Sequence, residues 1–108
     1  MDFQLTEDQQ LLRDTVRQFV ENEAAAGAAA RDEQMEWPTD LVRQMAELGL
    51  LSVAVGEEFG GAGMDYVSYA LVIEELSRVD AALGVIASVN NSLVCFGLEE
   101  FGTEEQQR

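Results

Sequence analysis

The sequence predicts an all-α domain built as an orthogonal or up-down helical bundle. Apolar side chains recur every three or four residues in several segments, which is the period of an amphipathic helix. Helix-capping residues precede those segments, whereas strand signals are weak. The length of 108 residues suits a single domain.

The first two helices are expected at residues 6–30 and 38–48. Thr6 and Gln9 have the spacing of a capping box at the start of the first helix. The second helix opens on the only proline of the chain, which suits a first turn, and Gly49 is its expected end. The apolar stripes of the two helices are Leu12, Val16, Phe19 and Val20 in the first and Leu41, Met45 and Leu48 in the second.

A third helix is expected at residues 66–79. It follows a short apolar segment, residues 50–55, and a turn-rich segment, residues 56–63. Asp65 stands where a side chain can cap the helix. Its expected inward-facing residues are Val67, Leu71 and Leu76.

The fourth helix is expected at residues 81–101, with Asp80 as its cap. Its first 18 residues carry no charge, so a membrane span is one interpretation. Polar residues at its middle argue against a lipid-facing helix. They are Ser88, Asn90, Asn91 and Ser92. A core helix packed by several neighbours is therefore the preferred interpretation.

A fifth helix is expected to start at residue 104, because Thr103 and Gln106 repeat the capping-box spacing. The sequence ends at Arg108, within the first turn of this helix. The three amphipathic helices that precede the fourth helix can cover only part of that uncharged helix. These observations favour the front part of a longer protein.

The charge balance argues against several classes of function. The chain has 21 acidic and 6 basic side chains, no histidine and one cysteine, and its formal net charge is −15. Such acidity repels nucleic acid and anionic membrane surfaces. A zinc cluster, a disulfide framework and a Ser-His-Asp triad each need residues that the chain lacks. We therefore expect no metal site.

The acidity itself has two interpretations. All six basic residues are arginine, and high negative charge without lysine suits a protein kept soluble in a salty cytoplasm. An ordinary acidic protein from a source that prefers arginine codons has the same composition. A cytoplasmic location is expected, since the only cysteine fits a reducing compartment and the N-terminus lacks the pattern of a secretory signal.

The glycine-rich segment Gly60–Gly63 is either a structural turn or a phosphate-binding loop. It lacks the spacing of either phosphate-loop motif, and no lysine is present to support it. Glu57 and Glu58 precede it and would repel phosphate. A structural turn is the preferred interpretation.

The pattern alone indicates no catalytic residue. Adjacent glutamates on a helix point about 100° apart, so the paired carboxylates do not converge. Glu74 or Glu75 is expected to form a buried, structural ion pair with an arginine. Cys95 has no histidine to activate it and is interpreted as a packed thiol.

The polar patch of the fourth helix also has two interpretations. Its side chains either bond to neighbouring helices or carbonyl groups, or lie on a helix face that lines a ligand cavity. Val85, Val89 and Leu93 share a stripe at four-residue spacing, and such a stripe suits the wall of a pocket for a short acyl chain. Ile86 and Phe96 lie beside it. By periodicity alone, core packing is preferred.

Six motifs in order resemble the N-terminal helical domain of the acyl-CoA dehydrogenases, in particular the short-chain (butyryl-CoA) type. They are Met1–Gln10, Glu47–Leu50, Glu57–Asp65, Glu74–Asp80, Ser88–Leu93 and Phe101–Gln106. Gly56 departs from the pattern, because the family usually has proline before the two acids. This difference concerns only the stiffness of the loop.

The resemblance implies that residues 1–108 form the N-terminal helical domain, with the family's middle β-domain and C-terminal helical domain absent. It implies an FAD-dependent oxidoreductase that oxidises a short-chain acyl-CoA to the trans-2-enoyl-CoA and passes electrons to an electron-transferring flavoprotein. A homotetramer is the expected assembly.

The family's catalytic glutamate and main FAD contacts lie in the later domains, so no catalytic or cofactor-binding residue is assigned in this chain. The chain alone is expected to be inactive. What the resemblance implies for this chain is a wall of the family's acyl-chain pocket. Its expected residues are Val85, Ile86, Val89, Asn90 and Leu93.

Two other functions stay open. One is a stand-alone helical interaction module without catalysis, and the other is a flavin oxidase or monooxygenase on the same scaffold. The preferred acyl chain is also open, since the pocket would be shared with the later domains.

Overall fold

Seven α-helices form within residues 3–108, the part of the chain that the computed structural model describes. They are α1 (Glu7–Phe19), α2 (Ala28–Gln34), α3 (Thr39–Glu47), α4 (Tyr66–Val79), α5 (Ala81–Ser88), α6 (Phe96–Phe101) and α7 (Glu104–Gln107). No strand occurs in this part, and the predicted all-α fold is confirmed. Met1 and Asp2, which open the first motif, lie outside the described residues.

Side chains cap four of these helices at the predicted residues. Thr6 and Thr103 each accept a hydrogen bond from the N–H three residues on, and the glutamine there closes a capping box. Asp65 accepts the N–H three residues on at 2.8 Å, and Asp80 accepts the N–H two residues on at 3.0 Å. These local bonds explain why α1, α4, α5 and α7 begin within one residue of the predicted positions.

The first helical segment is longer than predicted. A π-helical turn (Val20–Ala24) and a 3-10 turn (Ala25–Gly27) connect α1 to α2, so the helical backbone ends at Gln34 rather than at residue 30. Arg31 donates to the Ala24 carbonyl at 2.8 Å and to the Asp80 carboxylate at 2.9 Å, which fixes the additional turn to the start of α5. The local sequence does not reveal this long-range ion pair.

The core forms where α4 contacts α1 on one side and α5 on the other. Ser68, Val72, Glu75 and Leu76 share the buried face of α4 at helical spacing. The expectation for Val67 was wrong, because this side chain is 52% exposed on a neighbouring face. The buried apolar residues are Val16, Phe19, Val20, Ala24, Leu41, Met45, Leu50, Val53, Val72, Leu76, Leu83 and Ala87.

The predicted fourth helix is one helical segment, Ala81–Phe101, in which a π-helical turn (Val89–Cys95) separates α5 from α6. Its inner half, residues 81–88, packs on α4. Gly84 permits the close approach, since a Cβ there would collide with the Ser77 hydroxyl.

The distal half of this segment, residues 89–101, differs from the expected helix packed on several sides. Every residue from 89 to 101 is partly or fully exposed, and only 22% of the uncharged stretch of the whole segment is buried within residues 3–108. By length and composition alone the segment could also cross a membrane, a test that core helices of other proteins pass as well.

Candidate functional site

The helical segment Ala81–Phe101 is called the long helix below. Two asparagines of its polar patch bond to residues 50–53, which follow α3. The Asn91 Oδ1 accepts the Val53 N–H at 2.7 Å, and its Nδ2 donates to the carbonyl oxygens of Leu50 at 3.0 Å and Ala87 at 2.8 Å. The Asn90 Nδ2 donates to the Leu51 carbonyl at 2.6 Å. The hydrogen-bonding interpretation of the patch is therefore confirmed.

Cys95 lies beside these bonds. Its Sγ is 3.8 Å from the Leu51 carbonyl oxygen and 3.7 Å from the Asn90 Nδ2. Burial, and to a smaller extent the charge of Glu99, raises the pKa of the Cys95 thiol. The thiol is thus partly buried and kept protonated, as a packed and unreactive cysteine should be.

Four of the five expected pocket residues come together in one apolar groove of about 380 Å³. Val85, Ile86, Val89 and Asn90 form one wall, provided by the long helix. The other lining residues are Trp37, Val42, Leu51 and Val94. Asn90 is the polar residue of this lining, and its amide is already engaged with Leu51. The groove is hence suited to an apolar ligand.

Leu93, the fifth expected pocket residue, does not line the groove. It is absent from the groove lining, and its side chain is 72% exposed. Val94 lines the groove instead, although the α-helical spacing favoured Leu93. Trp37, Val42 and Leu51 were also missed, because their proximity to the helix depends on how α3 and the following turn pack.

A second cavity, of about 160 Å³, lies against another face of the long helix. It is lined by Ala54, Val55, Tyr66, Tyr69, Asn91, Ser92, Phe96 and Glu99. The Tyr69 hydroxyl is 3.3 Å from the Ser88 carbonyl oxygen, to which it donates. The sequence pattern did not predict this cavity.

The glycine-rich loop has no free amide with which to bind phosphate. The N–H groups of Gly60 and Gly61 donate to carbonyls within the loop at 3.0 and 3.1 Å. Those of the next three residues, Ala62, Gly63 and Met64, donate to carbonyls of residues 52, 55 and 53 at 3.0, 2.8 and 2.8 Å. The loop is therefore a structural turn, as predicted.

The expected ion pair of α4 involves Glu75, which is 3% exposed. The Arg17 Nη2 donates to one carboxylate oxygen at 2.7 Å, its Nε donates to the other at 3.2 Å, and the Arg78 Nε adds a third bond at 3.4 Å. The bonds from Arg17 are the main cause that lowers the pKa of Glu75. This arrangement joins α1 to α4 and is structural, as predicted.

Metal ligands are not clustered in the described part of the chain. Across residues 3–108, no group of three or more His, Cys, Asp or Glu side chains is placed to hold a metal ion. The groove and the second cavity are both lined mainly by apolar side chains.

A helical domain with an apolar groove beside the helical segment Ala81–Phe101 is the class that the fold and site define. The family model for the acyl-CoA dehydrogenase N-terminal domain matches residues 6–108. The chain belongs to the acyl-CoA dehydrogenase family, as an N-terminal domain.

Two curated relatives with short-chain specificity in their names are similar to the chain over nearly its whole length. The chain is 44% identical over 108 residues to the short-chain specific acyl-CoA dehydrogenase of Clostridium acetobutylicum, covering 100% of this chain and 28% of the relative. It is 46% identical over 105 residues to the mitochondrial short-chain specific enzyme of Rattus norvegicus, covering 97% and 26%. The chain thus spans about a quarter of the length of these relatives.

Two solved structures have the same fold. Butyryl-CoA dehydrogenase from Megasphaera elsdenii superposes with a TM-score of 0.92 at 33% identity, over 99% of this chain and 29% of that one. The second is a structure described as "Electron transferring flavoprotein of Acidaminococcus fermentans: Towards a mechanism of flavin-based electron bifurcation". It superposes with a TM-score of 0.94 at 43% identity, over 99% of this chain and 28% of that one.

Proposed function

We propose that the chain is the N-terminal domain of an FAD-dependent acyl-CoA dehydrogenase that oxidises short-chain acyl-CoA to trans-2-enoyl-CoA. In that reaction a base removes the α-proton, and the flavin supplies the acceptor for the β-hydride. The domain contributes part of the acyl-chain pocket and the packing between domains. The catalytic base and the main FAD contacts belong to parts of the protein outside these 108 residues.

The apolar groove is the observation that carries this proposal. Val85, Ile86 and Val89 offer aliphatic side chains to one side of the groove, and Trp37 offers an aromatic ring at another. Each methylene that leaves water for such a surface contributes about 0.8 kcal/mol. A short acyl chain gains affinity there without any polar partner, and the CoA phosphates stay outside this acidic domain.

The glycine-rich loop, the groove and the second cavity do not fit the flavin or its phosphates. Every amide from Gly60 to Met64 is already bonded, and Glu57 and Glu58 stand beside the loop. The two cavities offer no arginine to a diphosphate. The 108-residue chain alone is accordingly expected to bind no flavin and to catalyse nothing.

The proposal is tested by substitution in the full-length protein. Val89→Trp fills the groove and should shift the preference, measured as kcat/KM on a series of acyl-CoAs, towards shorter chains. Val67→Trp is the matched control, since Val67 is an exposed valine of α4 outside the groove. An unchanged preference in Val89→Trp, with the protein folded, would discard the groove as the acyl site.

The electron acceptor and the setting of the enzyme complete the proposal. We expect electrons to pass to an electron-transferring flavoprotein, a homotetrameric assembly, a cytoplasmic location, and no binding to membranes or nucleic acid. Rapid reaction of the reduced flavin with oxygen would instead indicate the oxidase or monooxygenase alternative. Stopped-flow measurement of flavin reoxidation, with and without the protein acceptor, separates the two.

A further inference from the structure

The π-helical turn of the long helix changes which residue faces the groove. In a regular α-helix Leu93 would follow Val89 on the same face, four residues on. In the structure the next groove residue is Val94, five residues on, while Leu93 points away. The Phe96 N–H donates to the Asn91 carbonyl, which is the five-residue spacing of a π-helix.

Asn91 is the residue whose side chain holds this turn. Its Nδ2 donates at 2.8 Å to the Ala87 carbonyl, the acceptor that the backbone N–H of residue 91 would use in a regular α-helix. The side chain therefore bonds to the helix at the point where the π turn alters the backbone pattern.

The same side chain connects the turn to the opposite side of the groove. Its Oδ1 accepts the Val53 N–H at 2.7 Å, and its Nδ2 also donates to the Leu50 carbonyl at 3.0 Å. Both partners belong to buried residues, where an unpaired backbone group is costly. Leu51, between them, lines the groove. One amide thus joins two walls of the groove.

We propose that Asn91 is a positioning residue, which holds the π turn so that Val94 rather than Leu93 completes the inner wall of the groove. This inference rests on the proposed function of the groove as the acyl-chain site. Without Asn91 the helix reverts to α-helical spacing, and Leu93 moves towards the groove. Because leucine carries one more methylene than valine, the groove becomes shallower and the preferred acyl chain shorter.

The test is a double-mutant cycle in the full-length protein, with kcat/KM measured on acyl-CoAs of increasing length. In the native background Val94→Ala should improve the longer substrates relative to butyryl-CoA on the order of tenfold. Leu93→Ala should have no such effect. In the Asn91→Ala background, Leu93→Ala should improve the longer substrates and Val94→Ala should not. Asn91→Ala alone should favour shorter chains.

Ser92→Ala is the matched control from the same turn. The Ser92 hydroxyl donates to the Ser88 carbonyl at 2.6 Å within the helix and makes no bond to residues 50–53. Its removal should leave chain preference unchanged. Asn91→Asp repeats the test if Asn91→Ala does not fold, since it retains the acceptor for Val53 and removes both donors.

The outcomes separate this inference from the proposed function. No change in preference for Val94→Ala in the native background would count against the acyl site itself. A change there, without an exchange of roles in either Asn91 variant, would refute the positioning role alone. A crystal structure of the Asn91 variant that retains the π turn at residues 89–95 would also refute it.

Discussion

Two regions of the molecule reverse the usual relation between polarity and burial. In the packed seam that α4 forms with α1 and with α5, the Glu75 carboxylate is buried, as are the side chains of Val72, Leu76 and Leu83. In the distal half of the long helix, residues 89–101, the Phe101 ring is 86% exposed. The seam holds a buried charge, and the distal half exposes aromatic and aliphatic side chains.

The difference shows that pairing, rather than residue polarity, decides what is buried here. Glu75 is tolerated inside because Arg17 and Arg78 supply three hydrogen bonds to its carboxylate. The distal half stays mostly exposed because α7, the helix that follows it and contacts α6, has only four residues and covers little of it. In the proposed full-length enzyme, this half is where the acyl chain and the remaining domains would pack.

The largest contrast is expected from one substitution made in each region. Leu76→Ala removes a fully buried side chain of the seam and should lower the free energy of unfolding by about 2–5 kcal/mol. Leu93→Ala removes an exposed leucine of the distal half and should change it by less than about 0.5 kcal/mol. Urea unfolding of the 108-residue chain measures both. Equal losses would mean that the distal half is packed after all.

Two glycines of the long helix should respond with opposite signs. Gly84→Ala places a Cβ 3.1 Å from the Ser77 Cβ and should cost about 1–3 kcal/mol. Gly97→Ala meets nothing within 4 Å and should stabilise the helix by about 0.5–1 kcal/mol. Thermal unfolding monitored by circular dichroism compares them. A gain in both variants would show that α4 and α5 do not approach closely.

The ion pair of the seam predicts a pH dependence of stability. Because the folded protein lowers the pKa of Glu75, its contribution is present above the unfolded pKa, about 4.3, and is lost as the pH falls through the lower folded value. Glu75→Gln should therefore lower the free energy of unfolding by about 1–2 kcal/mol at pH 7, and by little at a pH below the folded pKa of Glu75. The free energy of unfolding is measured at several pH values.

Glu74→Gln is the control for this experiment. Glu74 is exposed on the same helix and forms no ion pair within 4 Å among the described residues. Its substitution should change stability little at any pH. A Glu75→Gln effect that does not diminish on acidification would mean that packing, rather than the charge, explains the role of Glu75.

Much of the fold was predictable because its signals are local. The capping bonds of Thr6, Asp65, Asp80 and Thr103 span two or three residues, so the starts of four helices could be identified from the sequence. The end of α2 could not, since the bond between Arg31 and Asp80 spans 49 positions. Local sequence patterns therefore predict where a helix starts better than they predict bonds between distant segments.

The groove was partly predictable. Four residues of the long helix were identified through the family resemblance, since helical spacing alone favoured core packing. The residues that line the opposite side, Trp37, Val42 and Leu51, have no sequence signal that places them there. The register after Val89 was missed, because an α-helical wheel assumes 3.6 residues per turn throughout. The π turn at Val89–Cys95 adds one residue to that register.

The sequence by itself determined the helical class, the caps and the family, since each depends on residues close together in the chain or on motifs in order. It left the ion pair of α4 open between Glu74 and Glu75, because the main partner, Arg17, lies 58 positions away. Only the tertiary structure decided that α4 is the helix between two others, that Val94 rather than Leu93 lines the groove, and that the distal half is exposed. These features depend on contacts between distant segments, chiefly the bonds from Asn91 to residues 50 and 53, which no local pattern contains.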